Sequence, residues 1–535
     1  MTDSGKKNIL LVGKETFMYP WYYLTDIWGK DNNIASLWVN HMETELEKCG
    51  LNESTYYAFG GKGIKVYSLN DALVSFQKQM DCLNITSQDI SYIEGRYSHY
   101  KNINLQLISD QLMSVCYHNR KLYTPPTYEQ QLLWLSCLYK NIEGILDDFQ
   151  PDVIFDCDIA ELPRTLLNEV AHSRGIPYIS IAYSKYQMYK IPSYTLNLGV
   201  EAYFACEYEK FLKEDNTEEE AYVREFREKK SIKNSTYLVK GNPTYAYEVE
   251  PLIDTIKSIY GRWRYFVNQD KPKRNKKLKK QNPVLFVDSK KYMKFWTKTR
   301  FFRRWLYKTK SLFENPVDGE SYVYMPLHLV PESTTYSIAP FWINELSAIE
   351  AVSKSLPAGW RLYVKEHQAM LGERSMDFYK KVKKIPNVRL VRFNYYEDPK
   401  PWIEKCRAVV TITGTAAYEA ALMGKPAFMF GDMPYSLIKG VTRIREIEKL
   451  PELLHEIRDV SAVDNIKECA AYIRAVKSVG KSIDLGNIMN KAYLHLTRGD
   501  ELDDAFWEEI DNLKEFFEDA YERADKRIKM GTIKV

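Results

Sequence analysis

Short apolar runs alternate along the chain with segments whose apolar residues recur at helical spacing. In the first half Ile9–Val12, Val153–Asp156, Tyr178–Ala182 and Ala202–Ala205 read as strands, with Tyr237–Val239 a weaker one. Pro151 and Asp152 lead into the second run, a helical pattern follows, and Gly175 and Pro177 introduce the third, which is the signature of a βαβ unit in a parallel sheet. Residues 50–130 carry no clear period. From residue 284 the alternation restarts. Val284–Val287, Tyr322–Met325, Arg361–Val364, Val388–Val391, Ala408–Ile412 and Pro426–Phe430 read as strands. A helix is predicted over Asn344–Leu356, with Leu346, Ile349, Val352 and Leu356 on one face. Leu502, Phe506, Ile510, Leu513, Phe517 and Tyr521 form the stripe of an amphipathic C-terminal helix over Leu502–Arg527, expected to pack within the protein and suited to bridging two domains.

Between the two alternating halves, Asn268–Pro283 has almost no apolar content and reads as a solvated linker. A chain of 535 residues needs more than one core. The pattern therefore predicts an α/β protein with two doubly wound domains, 1–267 and 283–485, joined by a basic linker, 268–282, and followed by a helical extension, 486–535. The net charge of +4 conceals an asymmetry: sixteen Lys/Arg against Asp270 and Asp288 between Asn268 and Lys310 give +14, so the remainder sums to −10. A nucleic-acid binder would be basic more uniformly. No run is long and apolar enough for a membrane span, and the N-terminus leads directly into a strand, so a cytoplasmic protein is expected. Eight scattered cysteines without a CxxC pair read as reduced core residues, and eight histidines without metal spacing predict no metal site.

The stretch 411–432 carries the most chemistry. A strand ends in Thr413, Gly414 and Thr415, a short helix follows over Ala416–Met423, and Gly424 stops it. Such a turn offers backbone N–H groups, hydroxyls and the positive end of a helix dipole to a phosphate, with Gly414 permitting close approach. Glu419, one turn into the helix, can accept hydrogen bonds from ribose hydroxyls. The alternative is an ordinary βαβ turn with Thr415 as N-cap. Two other strand ends of the second half join it at the ligand-binding edge of an open α/β sheet: the segment from Met325 to Thr334, and Lys365-Glu366-His367. Lys365 can neutralise phosphate, His367 can donate to a phosphoryl oxygen or assist a leaving group, and Glu366 either orients His367 or pairs with Lys365.

These segments, in order, resemble the capsule polysaccharide biosynthesis family. The resemblance covers roughly 283–435: Tyr322 to Glu332, Leu362 to His367, Arg374 to Tyr379, Pro386 to Leu390, and Thr413 to Pro426. That family includes glycosyltransferases that move 3-deoxy-manno-octulosonic acid (Kdo) from CMP-Kdo. The resemblance implies a GT-B-like architecture, two Rossmann-like domains facing a cleft. It also implies a nucleotide site at Lys365, Glu366, His367, Thr413, Gly414, Thr415 and Glu419, with Pro331 and Glu332 positioning the donor. Gln368 stands where the family usually has Pro, and His328 where Gln is expected. For the acceptor, a glycan or glycolipid, the base is sought in the first half at Asp156 and Asp158, Asp158 being equally suited to capping the next helix. No metal and no cofactor beyond the nucleotide-sugar donor is required. A CDP-polyol phosphotransferase, a nucleotide-sugar epimerase and a non-catalytic assembly protein are the rival readings. Finally, 289–310 interleaves Lys/Arg with Tyr, Phe and Trp. It reads either as a peripheral contact with the inner face of the membrane or as an interdomain helix with its aromatics in the core.

Overall fold

The computed structural model describes residues 5–39, 58–80, 87–97, 102–109, 126–158, 162–196, 199–233, 249–269, 289–330, 333–460, 462–526 and 531–533. They form two compact units. The first lies within 1–110, 127–207 and 475–534, and the second is built on 208–474.

The first unit contains β1 (Asn8–Gly13), β2 (Asn33–Trp38), β3 (Lys65–Ser68), β4 (Val153–Asp156), β5 (Tyr178–Tyr183), β6 (Tyr189–Ser193) and β7 (Val200–Glu201). The second contains β8 (Tyr322–Pro326), β9 (Arg361–Lys365), β10 (Val388–Val391), β11 (Ala408–Thr411), β12 (Ala427–Met429) and β13 (Val441–Arg443). The chain then returns to the first unit with β14 (Lys481–Ser482) and β15 (Thr532–Ile533). The main sheet of the first unit runs β14-β6-β5-β4-β1-β2-β3, with β6 alone running against the others; the sheet of the second runs β10-β9-β8-β11-β12-β13, all parallel. In each, the first strand of the unit lies inside the sheet and the order reverses around it. This is the doubly wound arrangement, with its ligand crevice at the carboxyl ends of the strands flanking the reversal. Both α/β domains expected from the sequence are therefore present.

Central strands are apolar on both faces because both are covered. Leu10, Leu11, Val12 and Ile154 in the first unit, and Val323, Leu362, Val364, Val409 and Val410 in the second, are fully buried.

Three features differ from the sequence expectation. Ala202–Ala205 is not a strand but the start of a helix, Ala202–Phe211, preceded by the two-residue β7. Phe204, Tyr208 and Phe211 are buried at helical spacing, and a short apolar run does not distinguish the two states until its continuation is read. The C-terminal extension belongs to the first unit: on the Asp504–Asp525 helix, Phe506, Ile510, Leu513 and Phe517 are buried, and the Phe517 ring lies 5.1 Å from Trp21 and 4.9 Å from Phe155. Residues 208–233, expected in the first domain, lie in the second unit, where Arg227 Nε donates to the Leu422 carbonyl at 2.8 Å. The expected strands 237–239 and 284–287 and most of the linker fall outside the described residues. Of the cysteines that are described, Cys137, Cys157, Cys406 and Cys469 are buried as expected, but Cys206 is exposed.

Candidate functional site

In the second sheet the order reverses at β8, with β9 on one side and β11 on the other. Pro326 pairs with Lys365 and Tyr324 with Val409, so the ends of all three strands reach one edge together. Lys365 ends β9, Glu366 and His367 follow it, His328 follows β8, and Thr413 to Thr415 follow β11. The segments picked out from the sequence thus converge at the switch point. Pro331 and Glu332 lie outside the described residues.

The turn after β11 is held from beneath. Thr413 N–H donates to His328 Nε2 at 3.2 Å, and Gly414 N–H donates to Thr411 Oγ1 at 3.0 Å. Thr411 Oγ1 itself lies 3.0 Å from His328 Nε2. The Tyr435 hydroxyl reaches the Thr413 and Gly414 carbonyls, each at 3.0 Å. This corrects the expectation for the turn: two N–H groups counted as phosphate donors are spent internally. Gly414 also has a different purpose. A Cβ there would lie 2.5 Å from Thr411 Oγ1 and 3.2 Å from His328 Nε2, so the glycine makes room for the support under the turn rather than for a ligand. Among the groups left to offer a phosphate is the Thr415 hydroxyl, which makes no cap hydrogen bond. The helix behind it spans only Ala416–Leu422, so its dipole adds little. Gly424, at φ 68°, ends it as expected.

His328 is fixed by a network that sequence reading did not find. Glu345 Oε1 accepts from His328 N–H at 2.7 Å and faces His328 Nδ1 at 3.3 Å. An amide can only donate, so Nε2 is the acceptor and Nδ1 carries the hydrogen towards Glu345. Arg374 closes the network. Its guanidinium meets Glu345 Oε2 at 2.5 Å, Glu366 at 3.0 Å and the His328 carbonyl at 2.7 Å. Burial opposes ionisation of Glu345, yet Arg374 and His328 hold its carboxyl below the usual range. For Glu366 burial outweighs Arg374 and the carboxyl is raised. Glu366 also accepts from His367 N–H at 2.7 Å. It therefore holds the His367 backbone, not its ring, and pairs with Arg374 rather than with Lys365.

His367 and Lys365 face the edge in different charge states. His367 Nδ1 accepts from Ala369 N–H at 3.3 Å, which places the hydrogen on Nε2. Burial, reinforced by His328, Lys365 and Arg374, pushes its pKa down to about 4. The imidazole is therefore a neutral donor at physiological pH. Lys365 is pushed down to about 8 by burial, against the attraction of Glu419. It remains mostly protonated at neutral pH.

In the first unit, Asp156 ends β4 but is enclosed. Its carboxylate accepts from Arg164 Nε at 2.7 Å, from the Tyr178 hydroxyl at 2.6 Å and from Asp158 N–H at 3.1 Å. Burial raises its pKa to about 6 despite Arg164. With no exposed surface it anchors the strand end and is removed from the candidate bases. Asp158 is 14% exposed and lies 3.3 Å from Arg164. It stays a candidate.

No protein-family model matches the chain, and no curated protein does. Solved structures similar to it include two transferases of KpsC from Thermosulfurimonas dismutans. The β-Kdo 2,7 transferase is 10% identical over 71% of this chain and 89% of its own, with a TM-score of 0.29. The β-Kdo 2,4 transferase is 11% identical over 64% and 87%, with a TM-score of 0.32. A UDP-GlcNAc 2-epimerase from Neisseria meningitidis, bound to UDP-GlcNAc, is 12% identical over 88% and 98%, with a TM-score of 0.27. Similarity at this level does not choose between transferase and epimerase, so the functional reading rests on the residues of the sheet edge.

Proposed function

We propose that this protein is a nucleotide-sugar-dependent glycosyltransferase of surface polysaccharide assembly, with a CMP-linked donor, Kdo or a related ulosonic acid. The observation that carries the reading is the meeting of Lys365, neutral His367 and the Thr415 turn at the switch point of the second sheet. Lys365 supplies charge to the phosphate. His367 Nε2–H donates a hydrogen bond to a phosphoryl oxygen without moving a proton, and Thr415 adds a hydroxyl. Together they stabilise charge that grows on the departing CMP as the anomeric bond breaks. Glu419 is assigned to the ribose hydroxyls. Asp158 is assigned to the acceptor, taking the proton of the attacking hydroxyl. The ordered motifs of 283–435 support the choice of CMP and of the ulosonic acid.

The test is thermal stability with CMP, CDP, UDP or GDP, on wild type and Thr415→Ala. The Thr415 side chain caps nothing, so its removal should leave the fold intact. A ligand at ~100 times its dissociation constant adds about 2.7 kcal/mol. A response to CMP that the variant loses supports the proposal. A selective response to CDP moves the reading to a polyol phosphotransferase, and one to UDP to an epimerase-type donor. Silence towards all four refutes a nucleotide site.

A further inference from the structure

The Leu252–Gln269 and Ser289–Lys308 helices pack against each other in the second unit, and among the described residues one face of the pair is exposed. On Ser289–Lys308 the exposed side chains among those described are Lys291, Lys294, Lys298, Phe301, Trp305 and Lys308. Their spacing of three and four residues places them in a single stripe. The opposite side carries buried Thr299, Leu306 and Tyr307 and is anchored in the core. The aromatics of this helix therefore divide: Tyr307 packs inward, whereas Phe301 and Trp305 are 47% and 44% exposed. The neighbouring helix is exposed over most of its described length, Asp254, Lys257, Arg262 and Arg264 included, and within that surface Ile253 at 63%, Ile256 at 52%, Tyr260 at 57% and Trp263 at 51% form an apolar stripe. Ile256, Tyr260 and Trp263 join Met293, Lys294 and Lys298 in lining a groove of about 490 Å³ between the helices.

We propose that this paired face docks on an anionic lipid surface, its aliphatic and aromatic side chains entering the headgroup boundary and its cations meeting lipid phosphates. Charge decides the occupant. Ser289–Lys308 holds eight Lys/Arg and no acidic residue, and on the neighbouring helix Asp254 lies 3.9 Å from Lys257. A second copy of the same face would set cation against cation. A nucleic acid would match the charge but not the exposed Ile253 and Ile256. A bilayer bearing anionic lipid satisfies both stripes at once. Among the described residues no helix is long and apolar enough to cross a membrane, so the contact is peripheral. The inference does not depend on the donor assigned above.

The full chain is sedimented with vesicles of phosphatidylcholine alone or with about one-third phosphatidylglycerol. Binding to the anionic vesicles alone, falling with salt, is expected. A cation at such a surface contributes about a fivefold gain, so Lys294→Glu with Lys298→Glu should weaken binding at least about 25-fold. Tyr260→Ser with Trp263→Ser should weaken it about tenfold or more, through lost apolar contact. Both variants should keep the wild-type thermal response to CMP, which separates this outcome from the fate of the donor assignment. No binding to either vesicle, equal binding to both, or binding untouched by both variants overturns the proposal. So does a wild-type dimer that Trp263→Ser converts to monomer, which would assign the face to a second copy.

Discussion

Lys365→Met tests the electrostatics of the site directly. Lys365 releases its proton at about 8 in the folded protein, against the ordinary 10.5 of a solvated lysine. The difference means that holding the ammonium in this half-buried position costs up to about 3 kcal/mol at neutral pH, net of the attraction to Glu419. Methionine keeps much of the stem and removes the charge, so the variant should be more stable than wild type by about that amount. The pH dependence has a definite sign. Between pH 8 and 10.5 the unfolded chain holds a proton that the folded chain has lost, so wild-type stability gains on the variant across that window. The advantage of methionine should be full below pH 8 and fade towards pH 10.5. Urea unfolding of both proteins at neutral and alkaline pH measures it, and the comparison cancels other groups, including buried Lys190, also pushed down to about 8. The same substitution should abolish the thermal response to CMP. Equal stability at pH 7, or a difference that does not change with pH, would show that Lys365 is not held under strain. A stabilised variant that still responds to CMP would remove Lys365 from the binding site.

Three other outcomes follow from the same geometry. The His367 imidazole should stay neutral, with hydrogen on Nε2, down to about pH 4. Nitrogen–proton correlation spectra of the eight histidines, assigned with His367→Gln, check this, and a midpoint near 6.5 would contradict it. Gly414→Ala should cost about 1–3 kcal/mol by pressing on Thr411 Oγ1, and Thr411→Ala should recover part of the loss in the double variant. Strictly additive unfolding free energies would show that the two residues do not compete for the same space. Asp156→Ala should cost about 3–5 kcal/mol because it strands the buried Arg164, whereas Asp158→Asn should leave the melting temperature nearly unchanged and depress transfer to acceptor. A catalytically normal Asp158→Asn would return the search for the base to other residues.

What was legible in the sequence follows from what local pattern encodes. Val153–Asp156 is buried on both faces, Val388–Val391 is an edge strand buried except at Arg389, and both runs read correctly to the residue. The three strand ends of the site were also legible, because Lys365-Glu366-His367 and the Thr-Gly-Thr turn are compact in sequence. The support beneath them was not. Glu345 starts a helix and Arg374 sits in a loop, and each looks like an ordinary solvated polar residue until the fold brings both against His328. His328 gave a signal, as the residue found where the resembling family would have Gln, and Arg374 opened one of the resembling segments, but nothing in the sequence joined the two to Glu345. The division into units was hidden for a similar reason. The amphipathic stripe of the C-terminal helix announces that it packs somewhere, and only Trp21 and Phe155 show where.

The contrast between the two half-buried cations, Arg374 and Lys365, argues that the edge is built for an anion rather than for stability. Both Arg374 and Lys365 lose water, which by itself weakens the charged form of each. For Arg374 the carboxylates of Glu345 and Glu366 more than offset that loss, and its pKa rises. For Lys365 the attraction of Glu419 does not, and its pKa falls. A network serving only to hold three strand ends together could use apolar side chains at no loss of stability. Here Arg374 is answered by two carboxylates, Glu345 and Glu366, in one layer. Lys365 beside them remains short of negative charge. A phosphate placed against Lys365 would supply that charge in a site already partly desolvated, where the interaction counts for more than it would in water. The favourable change on binding is then largest for the ligand that brings an anion to the end of β9, the strand end that carries His367 and shares its sheet edge with the Thr415 turn.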